Sequence, residues 1–230
     1  MSSTLPSMSP SNFRLILNAF DQYASQVGMD LIKNPLADAL RHCDSPNAVL
    51  ELLQDKAHTF NDYRYGDRAL IDWLKPVVQV VHGFSGVLGE AVGLVPFPPA
   101  SAVLVSVKVL LTAASDVSSS YDSLVDLFEC LGNFLKRLQI YTLIPLTPSM
   151  TDIIVKILVE LLSVLALATK QVQQGRLKKF GKKLLGESEI EAVLQKLDRL
   201  TQEEARVMAA QTLDVVHCLV NNVKVVMDGR

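Results

Sequence analysis

The feature that most constrains this chain is a run of 19 residues, GLVPFPPASAVLVSVKVLL from Gly93 to Leu111, which carries one charge, Lys108. Such a run can cross a bilayer, form a buried strand, or lie in the core of a helical bundle. A spanning helix needs about 20 apolar residues to cross roughly 30 Å of hydrocarbon. Pro96, Pro98 and Pro99 crowd the start, and proline is tolerated only in the first turn of a helix. A helix therefore starts near Pro99, and its apolar part, Ala100 to Ala114, reaches only about 22 Å. Ser101, Lys108, Thr112 and Ser115 form a polar stripe along it, opposite Val103, Val107, Leu110, Leu111 and Ala114. This is the pattern of a largely buried helix in a soluble bundle. Val103, Val105, Val107 and Val109 also alternate as a strand would; the helix is preferred because the flanking segments are helical and no partner strand is evident.

Those segments repeat one signature. Phe13, Ile16, Leu17, Phe20, Tyr23 and Val27 make one apolar face that ends at Gly28. A short helix covers about Asn34 to His42. Ser45 and Pro46 then read as an N-cap and first helical residue, ahead of Val49, Leu50, Leu53, Ala57 and Phe60. A helix from Asp67 meets Pro76, which is expected to kink or split it, and Gly83, Gly86, Gly89 and Gly93, where a break is expected. Ser118 to Ser120 reads as a joint, and the helix after it, through Leu124 to Leu138, ends at Pro145 and Pro148. Ser149 is placed as the cap of the next, whose polar line is Asp152, Lys156 and Glu160. Ser188 with Glu191, and Thr201 with Glu204, fit capping boxes that open two further helices. Apolar residues at Ala209, Leu213, Val216, Val220, Val223 and Met227 mark the last one. The expected fold is all-α, a single multi-helix bundle of about eight to ten helices. Residues 1–11, rich in Ser and Pro, read as a disordered leader, and 12–227 as one helical domain.

Charge and cysteine content narrow the function. Charged residues are 20% of the chain and the net charge is −2, so the strongly basic face that nucleic acid requires is not expected. Cys43, Cys130 and Cys218 show no CxxC spacing and fit unpaired thiols in a reducing compartment. MSSTLPSMSPSNF lacks a basic region followed by an apolar one, so a secretory signal is not expected and a cytoplasmic location is.

Catalytic motifs fail on inspection. GFSGV, Gly83 to Val87, has Val87 where the nucleophile elbow needs its second glycine. GRLKKFGKKL, Gly175 to Leu184, has glycines spaced one residue too far apart for a phosphate-binding loop, and Lys183 where Ser or Thr is required. No bound nucleotide is expected. His42-Cys43 and His217-Cys218 are adjacent pairs whose side chains diverge by about 100° on a helix, not metal-ligand spacings. No catalytic, cofactor-binding or metal-binding residues are assigned, and no cofactor is expected. What remains is the basic amphipathic piece: Arg176, Lys178, Lys179, Lys182 and Lys183 around Phe180. It is a candidate contact for an anionic membrane or an acidic protein partner.

Several pieces in order carry a resemblance: ALIDWLKP (69–76), GLVPFPPASAV (93–103), YDSLVDLFE (121–129), FLKRLQIY (134–141), IIVKILVELLSVLALATK (153–170), GRLKKFGKKLLG (175–186) and LDRLTQEEA (197–205). Together they resemble the fungal STAND N-terminal Goodbye domain, from about Phe13 to Val220. The resemblance implies a fungal, cytosolic, non-enzymatic module. Such modules stand ahead of a nucleotide-binding domain and a repeat sensor in signal-transducing NTPases, and act as effectors or adaptors in nonself recognition and programmed cell death. The expected mode of action is self-association or docking to a protein, through the basic segment or the Gly83–Pro99 junction. The alternative is a membrane-disrupting executioner that reaches anionic lipid through residues 176–183. The chain itself carries no P-loop and no repeats.

Overall fold

The computed structural model describes residues 10–43, 45–53, 69–89, 98–114, 121–143, 147–174 and 189–228, and every regular element among them is helical. The α-helices are α1 (Pro10–Val27), α2 (Pro35–Arg41), α3 (46 to 53, the last residue described there), α4 (Ala69–Gly89), α5 (Pro99–Ala114), α6 (Tyr121–Leu138), α7 (Pro148–Gln173) and α8 (Glu189–Asp228). A 3₁₀ turn, Gln139–Thr142, follows α6. The all-α expectation holds. α1 takes in Pro10 and Ser11, which composition had joined to the leader.

The chain's own residues mark most of the ends. Gly28, at φ +75°, adopts the left-handed conformation that glycine tolerates best, and its N–H reaches the Ala24 carbonyl at 2.9 Å. The Asn34 side chain accepts from Leu36 N–H at 3.0 Å, with Pro35 as the first helical residue. Ser45 Oγ accepts from Ala48 N–H at 3.2 Å, the cap expected of it.

The centre of the molecule is α5 against α7. α5 buries 12 of its 16 residues and α7 buries 18 of its 26. That explains why the stretch around Val103 shows so weak a helical period: a helix apolar nearly all round is covered nearly all round. Val103, Val107 and Leu111 are buried, and Thr112 lies at the surface. The single charge of the run, Lys108, is half-buried and donates to the Leu52 carbonyl of α3 at 2.6 Å. α1 covers another side of α7, where Asn12 donates to Asp152 at 2.5 Å. α4 packs on α6 and on α5, and the first part of α8 packs on α7. A fully buried Leu, Ile or Val contributes about 1.5–3 kcal/mol, so this central pair dominates the hydrophobic stabilisation.

A polar cluster sits inside. Ser106 of α5 donates to Ala102 O and Thr169 of α7 to Leu165 O, each at 2.7 Å within its own helix. Tyr23 of α1 is 1% exposed and its hydroxyl neighbours both, without closing a hydrogen bond of good geometry to either. Burial pushes the Tyr23 phenol up to about 12, the two neighbouring hydroxyls pulling slightly the other way.

Three expectations need correction. Pro76, Gly83 and Gly86 do not split the segment after Asp67: α4 runs through all of them to Gly89. Gly83 serves close approach instead, as does Gly132 of α6. A Cβ on Gly83 would stand 2.6 Å from Thr142 Cγ2, and one on Gly132 would stand 3.2 Å from Trp73 Cε3 and 3.3 Å from Pro76 Cγ. Helix packing there outweighs the roughly 1 kcal/mol that glycine costs in a helix. The cap of α7 is Thr147, which accepts from Met150 N–H at 3.4 Å with Pro148 as first helical residue; Ser149 is already inside. Thr201 opens no helix: residues 189–228 form one helix of 40 residues without an internal Gly or Pro.

No helix among the described residues is long and apolar enough to cross a membrane. Residues 115–120, 144–146 and 175–188 lie outside the described residues, so the joint at Ser118–Ser120, Pro145 and the capping role of Ser188 do too.

Candidate interaction surface

α8 divides into two halves that differ in what they touch. In the first half Leu197 is 1% exposed and Val193, Leu194, Leu200, Val207 and Met208 pack partly buried against the core. Lys196 reaches across to Glu160, a buried carboxylate of α7, in an ion pair. The Asp152–Lys156–Glu160 line is therefore not an open solvent face: Asp152 receives Asn12 and Glu160 receives Lys196. Near the same end, Arg137 of α6 faces Asp198 at 3.6 Å.

These contacts roof a cleft of about 430 Å³ between α6 and α8, lined by Leu131, Phe134, Leu194 and Leu197. Cys130 stands at its rim. Burial of the sulfur pushes the thiol above its ordinary value, the Arg137 charge opposing. A thiol held protonated is a poor nucleophile.

In the second half no described side chain packs against the core, but the apolar residues continue. Leu213 is 69% exposed, Val216 49%, Leu219 58% and Val220 47%. Ala209, Leu213, Val216 and Val220 follow four- and three-residue spacing, and Val223 and Met227 continue it in the sequence. At 3.6 residues per turn this row lies roughly 140° around the helix from the face that packs on the core. Traced back toward the start of α8, the same row holds Gln195, Arg199, Gln202 and Arg206, all exposed. The stripe thus changes from polar to apolar at residue 209, just past Met208, the last described side chain of α8 packed against the core. The sequence shows this row plainly as an apolar spacing; its lack of cover does not follow from spacing alone. The readable signal is the polar first half of the same stripe.

The other singled-out residues fall as follows. Arg176, Lys178, Lys179, Phe180, Lys182 and Lys183 lie outside the described residues. Ser85 of GFSGV is a helix-interior residue of α4, and its Oγ donates to the Val81 carbonyl of the preceding turn, at 3.5 Å. It occupies no strand-to-helix turn. His42 Nδ1 lies 2.8 Å from Asp38 O, Cys43 Sγ reaches Ala39 O at 3.5 Å, and His82 Nε2 lies 3.5 Å from Cys43 O. These are contacts to main-chain carbonyls. Among the described residues no three His, Cys, Asp or Glu side chains gather as a metal site.

Fold and surface together define an α-helical module with a tightly packed centre and a long terminal helix carrying uncovered apolar surface. The family model of the fungal STAND N-terminal Goodbye domain matches residues 17–141, more than half of the chain, and the protein belongs to that family. The match takes in α2 to α6 and most of α1, and the pieces that resemble the domain from residue 153 onward lie beyond it. No curated protein and no solved structure matches the chain. The matched region is not a separable unit, because α7, outside it, supplies the centre on which α1 and α5 pack.

Proposed function

We propose that this protein is a non-enzymatic signalling module of the fungal nonself-recognition and cell-death type, acting in the cytoplasm by docking to protein. The observation that carries the reading is the exposed apolar row of α8 at Leu213, Val216 and Val220, beyond the half of the helix that packs against the core. Contiguous exposed apolar surface of this kind marks an interaction site. Family membership supplies the setting, since the domain stands at the N-terminus of fungal STAND proteins. The basic segment with Arg176, Lys178, Lys179, Phe180, Lys182 and Lys183 adds a second contact, to an acidic face of the partner.

The test compares proteins captured from fungal lysate by the wild-type chain, by Leu213→Glu with Val220→Glu, and by a chain with Lys178, Lys179, Lys182 and Lys183 changed to Glu. The α8 variant is expected to lose the captured set and the charge-reversed chain to hold it more weakly. Identical sets from wild type and the α8 variant would remove the support for this function.

A further inference from the structure

We infer that the first half of α8, residues 189–208, is a strap that opens as a unit from α6 and α7 while the helices beneath it stay folded, with Glu160 as its built-in weak point. This holds whatever docks at Leu213 to Val220.

Three observations carry it. The first is how little anchors the strap. Among the described residues of α8, Leu197 is the one side chain that is fully buried, and Val193, Leu194, Leu200, Val207 and Met208 are partly covered. α7 by contrast buries 18 of its 26 residues. Opening a segment costs in proportion to the burial it gives up. The contacts of α5 with α7, of α1 with α7 and of α4 with α6 do not pass through α8, so they survive its departure.

The second is where the fold keeps its buried charge. Among the described residues Glu160 is the only charged side chain that is buried. It belongs to α7, within a turn of the buried Ile157, Leu161 and Val164, and its partner Lys196 comes from α8. Docking of α8 takes this carboxylate out of water, and an ion pair returns that cost only when further hydrogen bonds complete it. Lys196 itself stays 61% exposed. Lifting α8 gives both groups back to water, so the pair holds the strap less tightly than two apolar side chains of similar size would. A charge in the contact of α5 with α7 would weaken the whole molecule; in the contact of α7 with α8 it weakens one joint.

The third is a packing defect in the same place. Well-packed helices leave few voids larger than a water molecule. The cleft of about 430 Å³ lies between α6 and α8, and Asn133, Arg137 and Asp198 on its rim are exposed. α8 therefore seats on α6 over only part of its length. The Arg137–Asp198 pair stands at 3.6 Å with both side chains more than half exposed, and ion pairs of that kind contribute little. A helix with a closed and an open state is the kind of two-state element that a binding event biases.

Thiol labelling of the full chain reads the opening. With Cys43, Cys130 and Cys218 changed to Ser, Leu197→Cys reports on α8 and Val107→Cys on the centre, where Val107 is 0% exposed. In excess thiol reagent, site 197 is expected to react at least about tenfold faster than site 107. Its urea dependence is expected to be weaker, because a local opening exposes less surface. Leu110→Ala, a truncation inside α5, is expected to speed labelling at 107 by about a hundredfold through lost global stability, and to leave labelling at 197 unchanged. Glu160→Met with Lys196→Met is expected to slow labelling at 197 by about tenfold. Hydrogen exchange of the unsubstituted chain repeats the comparison without a reporter. Amides 192–208 of α8 are expected to share one opening, with a smaller urea dependence than amides 153–168 of α7.

Equal rates and urea dependences at 197 and 107, or a Leu110→Ala effect of the same size at both, overturn the strap: α8 then leaves only on global unfolding. Amides 192–208 that open in a gradient from one end overturn the unit. Labelling at 197 that is unchanged or faster with Glu160→Met and Lys196→Met overturns Glu160 as the weak point.

Discussion

α7 and α8 are the two long helices of this protein, and they are stabilised in opposite ways. α7 buries 18 of 26 residues and touches α1, α5 and α8. α8 has 40 residues, and Leu197 is the only described side chain in it that is fully buried. α7 is a helix because the surrounding helices require one; its Val, Ile and Leu content makes it an indifferent helix in isolation. The second half of α8 has similar side chains, and Leu213, Val216, Leu219 and Val220 there are exposed. The difference teaches that an apolar row at helical spacing reports only that a face wants cover. In α7 the same chain provides the cover, whereas Leu213, Val216 and Val220 of α8 stay exposed.

The comparison breaks most sharply under truncation of a buried leucine. Leu158 of α7 is 0% exposed. Leu158→Ala is expected to destabilise the protein by about 3 kcal/mol through lost burial and the cavity left behind. Urea unfolding followed by circular dichroism reads this as a lowered midpoint with unchanged slope. A loss under 1 kcal/mol would mean that the centre is not α7.

Next in size is a pH effect at the same centre. The Tyr23 phenol, pushed up to about 12 by burial, sits above its ordinary value of 10.0. A group whose folded value is raised contributes stability that is fully present below the unfolded value and is lost as pH climbs through the folded one. Stability is therefore expected to fall between pH 10 and 12, by about 3 kcal/mol at most from this group, at 1.36 kcal/mol per pKa unit. Tyr23→Phe is expected to be nearly neutral at pH 7, because the hydroxyl closes no hydrogen bond, and to flatten the alkaline decline. Parallel alkaline curves for wild type and variant would show that the phenol stays protonated for another reason, or is not buried on folding.

The sequence disclosed the central pair and most helix limits because local chemistry sets them. Gly28, Asn34 with Pro35, and Ser45 with Pro46 are caps that act within a few residues. It misled where a distant neighbour decides. Gly83 reads as a breaker until Thr142 is seen against it, and Glu160 reads as surface charge until Lys196, 36 residues away, pairs with it. Thr201 with Glu204 is a sound capping box overruled by an unbroken helix whose core-facing residues continue through Leu200 to Val207. The candidate interaction surface was half legible. The row from Ala209 to Met227 is visible as a spacing, but the exposure of Leu213, Val216 and Val220 depends on where the core ends.

The ion pair between Lys196 and Glu160 is where α8 leaves the pattern of α7, and removing it sharpens the comparison. Glu160 has a side chain only 10% exposed, whereas Lys196 is 61% exposed, so solvent screening moderates the gain from pairing. Lys196→Ala is expected to cost about 1 kcal/mol, mostly by leaving a buried carboxylate without its partner. Hydrogen exchange should quicken in α8 and stay unchanged in α7. Equal acceleration of both helices would mean that α8 is integral to the core and not clipped to it.

The smallest effect is the most diagnostic, because it repeats the largest experiment in the other helix. Leu213 is 69% exposed, so Leu213→Ala removes side-chain area that water already reaches and leaves no cavity. In dilute protein its expected effect is within about 0.5 kcal/mol, the range of surface substitutions, with alanine's better helix propensity offsetting part of any loss. With a captured protein bound to the row, the same substitution is expected to lower the thermal midpoint, because binding to the folded state adds stability that depends on the partner's concentration. Leu158→Ala should show no such dependence beyond its intrinsic loss. A Leu213→Ala penalty that is large and independent of concentration would mean that the row is covered within one chain, and that α8 differs from α7 only in degree.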